Sequence, residues 1–256
     1  MNRIAEVFKH GKALIPFITA GDPNLLITEQ LIHAMESAGA DLIEIGIPFS
    51  DPVAEGIVIQ KADERALAAG TTTDKIFAMV LRVREKTNIP LAFMTYLNPI
   101  FAYGKERFLK RAVECGIAAL IVPDMPFEEK SELLPFCKAY NIDLISLIAP
   151  TSKERISKIA AEAQGFVYCV SSLGVTGVRS EFSSDIKDMV TLVKAAQNIP
   201  CAIGFGISTP KHAKTMTEFA DGVIVGSAIM KIIEQYGEKC LGPVTDYVRQ
   251  MKETIL

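Results

Sequence analysis

The sequence predicts an α/β fold, a (β/α)8 TIM barrel, formed as a single domain over residues 1–256. Three observations predict it. Short, β-rich apolar runs recur along the chain, each run leads through a turn into an amphipathic segment, and eight such units fit into 256 residues. Near-continuous apolar strands alternating with helices make a parallel sheet covered by helices, and eight units close most simply into a barrel. A doubly wound open sheet is the competing architecture. It would carry GxGxxG after the first strand, where this chain has Ala20-Gly21-Asp22-Pro23, a turn and helix start.

Taken in order, the predicted strands are 14–19, 42–47, 91–95, 119–122, 143–148, 166–170, 201–204 and 222–225. Each is short, apolar and bounded by Gly, Pro or polar residues, the pattern of a strand buried on both faces. The predicted helices are 25–37, 75–85, 105–114, 128–140, 152–163, 185–196, 211–218 and 228–236. Asp124 and Thr151 stand where N-caps belong, and Gly104 and Gly116 at helix edges. Asp246, Arg249, Lys252 and Glu253 mark the solvated face of a last helix. Proline and glycine are scattered at element ends, and no linker or low-complexity run divides the chain.

Apolar residues make up 49% and charged residues 22%, ordinary for a globular protein. A net charge of -3 provides no basic field, which excludes nucleic acid and anionic membrane as partners. The cysteines (115, 137, 169, 201 and 240) form no CxxC pair and read as small buried hydrophobes in a reducing compartment. Three histidines without metal-ligand spacing predict no metal site and leave acid–base work to carboxylates. The run 13–18 is too short and too interrupted by Pro16 for a signal peptide, and no stretch is long enough for a membrane span. The expected location is cytoplasmic.

One carboxylate stands out. In Leu42-Ile43-Glu44-Ile45-Gly46-Ile47 the side chains alternate, so Leu42, Glu44 and Gly46 share one face and the isoleucines the other. With helices over the isoleucines, Glu44 points into the barrel, where an unpaired charge costs several kcal/mol. The bland alternative is a Glu whose head reaches solvent or an Arg at the strand end.

Glycine turns close the seventh and eighth units, Gly204-Phe205-Gly206-Ile207-Ser208 and Val225-Gly226-Ser227-Ala228. Glycine lets main-chain N–H groups approach an anion, and a helix N-terminus favours negative charge. In barrels this pair of loops is the usual phosphate site, so a small phosphorylated substrate is expected there. Gly174-Val175-Thr176-Gly177, after the sixth strand, could close over the same anion. Any one such turn alone is ordinary turn chemistry; two at consecutive strand ends are a more specific signal.

These residues resemble, end to end, the tryptophan synthase alpha-subunit family. The likeness rests on Pro16-Phe17-Ile18-Thr19-Ala20-Gly21-Asp22-Pro23, on Glu44 through Pro52, and on Thr95-Tyr96-Leu97-Asn98-Pro99. Pro123-Asp124-Met125-Pro126 and the glycine turns complete it. The resemblance implies a cofactor-free lyase that cleaves indole-3-glycerol phosphate, with Glu44 and Glu55 catalytic. Phe17, Tyr96 and Tyr168 would wall the indole pocket. Thr176, Gly177, Phe205, Gly206, Gly226 and Ser227 would complete the substrate site. The implied partner is a pyridoxal-phosphate-dependent beta subunit in an alpha2-beta2 tetramer, docked near Asp51-Pro52, Asn98-Pro99 and Asp124–Pro126, with Ile100 and Phe127 exposed there. The sequence departs from the family at Glu55-Gly56-Ile57, where Asp-Gly-Pro is commoner. Without the flanking match Glu55 reads as a surface charge, and with it a catalytically weakened allosteric activator is the alternative function.

Overall fold

The computed structural model describes residues 3–170, 180–204 and 206–256. Its strands are β1 (Ala13–Thr19), β2 (Ile43–Gly46), β3 (Leu91–Met94), β4 (Ala119–Ile121), β5 (Asp143–Leu144), β6 (Ser146–Ile148), β7 (Val167–Val170), β8 (Cys201–Gly204) and β9 (Gly222–Val225). All pair in parallel, in the order β5-β4-β3-β2-β1-β9-β8-β7-β6. β5 bonds to β4 and β6 bonds to β7, and one residue, Ile145, separates them. The two segments are therefore halves of one barrel position, each half facing a different neighbour, and they join the edges of the sheet. The predicted strand 143–148 is real, but its ladder changes partner midway.

The helices are α1 (Arg3–Val7), α2 (Leu25–Ser37), α3 (Ile57–Ala68), α4 (Thr73–Arg84), α5 (Leu97–Tyr103), α6 (Lys105–Glu114), α7 (Leu134–Ala139), α8 (Lys153–Ala161), α9 (Ser180–Ala196), α10 (Pro210–Thr217), α11 (Ser227–Tyr236) and α12 (Leu241–Ile255). α1, α3 and α5 are additions to the predicted set. The predicted helix 128–140 divides into a 3-10 turn, Phe127–Glu132, and α7, with Pro135 in the first turn of α7, where a missing N–H costs nothing. Two predicted caps also move. Ser152, not Thr151, caps α8 by accepting from the Arg155 N–H. Asp124 accepts from the Leu97 N–H, so it serves the start of α5 rather than a helix of its own unit.

Two cores result. The larger lies between strands and helices and holds Ile18, Ile43, Ile45, Phe77 and Phe93. The smaller fills the barrel with Ala13, Ile15, Leu42, Ala92, Ile121, Phe166, Ala202 and Ile224. Ile4 and Val7 of α1 belong to this inner core, and the Phe8 ring packs 5.5 Å from Phe166. α1 thus plugs the barrel at the N-terminal ends of its strands and leaves the opposite mouth for a ligand. All five cysteines are free and buried. No helix among the described residues is long and apolar enough to cross a membrane.

Candidate active site

Glu44 lies where the alternation puts it. It pairs in register with Phe17 on one side and Ala92 on the other, and it is fully buried. Neither carboxylate oxygen has a hydrogen-bond partner among the described residues. Burial raises its pKa well above 4.5, and the neighbouring Glu55 raises it further. Burial thus favours the neutral form of this carboxyl, the form that can give a proton.

Two glycines on the barrel face make room for aromatic rings. A Cβ on Gly46 would lie 2.6 Å from Cζ of Phe17, and one on Gly204 would lie 2.3 Å from the Tyr168 hydroxyl. Phe17 also borders Gly226, where an added Cβ would stand 3.1 Å from its Cδ1. The Phe17 ring therefore spans from the acid to the loop after β9. Tyr168 is buried, and its pKa is raised first by burial and then by the charges of Glu44 and Glu55. Tyr168 is thus within electrostatic reach of both acids.

Glu55 comes from the loop between β2 and α3. Part of the residue is exposed, yet burial of its carboxyl pushes the pKa from 4.5 to about 8, with Asp63 adding to the rise and a hydrogen bond with Tyr96 lowering it. Tyr96, at the start of α5, is buried, and its hydroxyl accepts from the Ala54 N–H at 3.1 Å. Its ring packs 5.4 Å from Phe49. Gln60 donates to the Glu55 carbonyl at 2.8 Å. The loop is thus held at Glu55 itself and at the residue before it.

Asp63 is the functional candidate that sequence reading missed. It is buried on α3, and its pKa is raised from 3.8 to about 7 by burial. Its signal was available: Ile59, Ala62 and Ala66 are buried at helical spacing, and Asp63 is an acid on that apolar stripe.

At the other end of the mouth, Gly226 precedes α11 and no side chain caps that helix. Ser227 is its first residue and is exposed. α10, by contrast, is already capped by Thr209, which accepts from the His212 N–H. The open helix start is therefore the one after β9. Gly206 is exposed with φ +78°, a left-handed conformation that glycine permits. Thr176, Gly177 and Phe205 lie outside the described residues. Ile100 is a correction: it is fully buried in the outer core, and its neighbour Phe101 is the exposed residue. Phe127 is half-buried, with the Lys130 ammonium 4.3 Å over its ring.

Residues 5–255 match the family model described as "Tryptophan synthase alpha chain". The chain belongs to the tryptophan synthase alpha chain family. It is 46% identical over 255 residues to the tryptophan synthase alpha chain of Lacticaseibacillus casei, covering 100% of this chain and 96% of that one. Tryptophan synthase subunit alpha from Legionella pneumophila superposes with a TM-score of 0.90 at 40% identity, over 100% of this chain and 98% of that one. A chain of tryptophan synthase from M. tuberculosis, in its aminoacrylate-bound form, gives a TM-score of 0.89 at 28% identity, with 100% of both chains covered.

Proposed function

We propose that this chain is the alpha subunit of tryptophan synthase and that its barrel mouth cleaves indole-3-glycerol phosphate to indole and glyceraldehyde 3-phosphate. The observation that carries the assignment of roles is Glu44, a fully buried acid without a partner at the centre of that mouth.

The carbon–carbon bond to indole C3 breaks only after C3 is protonated, which turns the ring into an indolenine. The side-chain hydroxyl then loses its proton as the aldehyde forms, and the bonding pair returns to the ring to restore indole. Glu44, neutral because it is buried, gives the proton to C3, and the carboxylate so formed accepts one from the hydroxyl. Glu55 accepts the indole N–H and stabilises positive charge on the ring. Phe17 and Tyr168 wall the indole, with Tyr96 holding the Glu55 loop behind it. The phosphate sits at Gly206, Gly226 and Ser227, where the uncapped start of α11 offers main-chain N–H groups and a favourable dipole. Thr176, Gly177 and Phe205 complete the site in this reading. The chain acts as one barrel domain over residues 1–256 and needs no cofactor of its own.

The partner is the beta subunit, which takes the indole, in an alpha2-beta2 assembly. Val53, Ile57 and Phe101 are exposed apolar side chains on the loop after β2, α3 and α5, and support a docking face there.

The experiment is indole release from indole-3-glycerol phosphate, with and without a beta subunit. Wild type should turn over and be stimulated by the partner. Glu44→Gln should keep its fold and lose activity by about 100- to 10,000-fold. Substantial turnover by that variant would remove Glu44 as the acid–base group. A silent wild type that still activates the beta subunit would make the chain an activator.

A further inference from the structure

The main chain is held on both sides of Glu55, by different means. On the N-terminal side the Glu55 N–H donates to the Pro52 carbonyl at 3.1 Å, and the Ala54 N–H donates to the Tyr96 hydroxyl at 3.1 Å. On the C-terminal side stands Gly56, the residue before α3. Its carbonyl is bound into the helix by the N–H groups of Ile59 at 2.9 Å and Gln60 at 3.1 Å. Between these two anchorages lies the Glu55–Gly56 peptide, and packing does not fix it. Gly56 is exposed, and a Cβ added to it would meet nothing within 4 Å among the described residues. Glycine also supplies no side chain to cap α3 and tie the loop to it. What reaches this peptide is Gln60, whose Nε2 donates to the Glu55 carbonyl at 2.8 Å. A carbonyl only accepts, so the glutamine amide must turn its NH2 group towards it. The Gln60 backbone is itself part of the first turn of α3, so the donor stands on a rigid element.

We infer that Gln60 is a positioning residue for Glu55: its amide fixes the Glu55–Gly56 peptide and, through it, the direction of the Glu55 carboxyl. This deepens the reading of Glu55 proposed above and rests on it. A glycine turns freely about its backbone bonds, so without that hydrogen bond the peptide before α3 can swing. A backbone rotation of about 20° carries a glutamate carboxyl through about one ångström, a displacement that can slow a reaction about a hundredfold. Gln60 bonds a main-chain carbonyl, and its effect on the reaction passes through Glu55. The side chain must have both the reach of glutamine and an N–H to give. Methionine has the first without the second, and asparagine the second without the first.

The test is Gln60→Met in the full chain, with Gln60→Leu in its place if that variant does not fold. For indole release, kcat should fall by about ten- to a hundredfold while KM stays within about twofold. Lys61→Met, at the exposed neighbouring position of α3, should leave both constants unchanged. In a Glu55→Gln background, Gln60→Met should lower the residual rate by less than about twofold, because no carboxylate remains to be aimed. A purely structural role would lower the rate by the same factor in both backgrounds, and that result would overturn the inference. The second measurement needs no turnover: crystal structures of wild type and Gln60→Met in one crystal form. The Glu55 carboxyl should move by about one ångström or lose its single orientation. A carboxyl that keeps its wild-type position in the folded variant would overturn the inference whatever the kinetics. A displaced carboxyl in a protein without lyase activity would uphold the hold of Gln60 on Glu55, and the failure would then lie with the proposed reaction.

Discussion

Raising the pH from about 5 to about 8.5 is expected to weaken this fold, the reverse of the usual trend for acids in salt bridges. Asp63 is raised from 3.8 to about 7, and Glu55 from 4.5 to about 8. Glu44 moves in the same direction. An acid whose pKa is higher folded than unfolded favours folding while it is neutral. That stabilisation is complete below the unfolded values and is lost as pH climbs through the folded ones. At about 1.4 kcal/mol per pH unit, the part of those shifts that falls between about pH 5 and about pH 8.5 comes to roughly 3 kcal/mol for Asp63 and roughly 4 kcal/mol for Glu55, the rest being lost below about pH 5. Their costs overlap because they act on one another, and solvent screens the partly exposed Glu55, leaving roughly 3 to 5 kcal/mol for the pair. Such a loss is a large share of a typical stability of about 5 to 15 kcal/mol. Urea unfolding at both pH values, compared at constant m-value, measures it directly. Asp63→Asn or Glu55→Gln should flatten the dependence. A wild type whose stability stays level or rises from about pH 5 to about pH 8.5 would refute the picture of acids held neutral by burial.

Three further outcomes bear on the site. Glu55→Asp withdraws the carboxylate by about one ångström from Tyr96 and is expected to lower kcat/KM by about ten- to a hundredfold; a faster variant would mean that the surroundings do not fit glutamate. Gly46→Ala places a Cβ 2.6 Å from the Phe17 ring, which is buried and bounded by Gly226 as well. The ring must shift, at a cost of about 1 to 3 kcal/mol in denaturant melts and with a raised KM; a loss under about 0.5 kcal/mol would show that Phe17 is free to move. Replacing Arg65 with Met leaves Asp22, 1% exposed, without its cation, and should cost about 2 kcal/mol after allowance for the partly exposed Arg65. An unchanged denaturation midpoint would contradict that pairing.

Much of the site was legible because strand periodicity is local. Alternation alone set Glu44 and Gly46 on one face and Ile43, Ile45 and Ile47 on the other, and the barrel keeps that division. The glycine turns after β8 and β9 were equally plain, since a turn needs its special residues wherever the rest of the chain goes. Charge, cysteine pattern and the count of strand–helix units depend on composition and spacing, and they too were open to reading. The family resemblance singled out Glu55, which its local sequence would have assigned to the surface.

What the sequence by itself determined was therefore which face each strand residue takes and which strand ends carry glycine turns. Tertiary structure decided which of those residues meet. Strand five divides its hydrogen bonds between β4 and β7 because barrel closure gives its two halves different neighbours. Asp124 caps α5 from another unit, and Asp63 lies on the buried face of α3. The raised pKa values depend on the same closure, because desolvation is a property of everything packed around a carboxyl and not of the residues beside it in sequence.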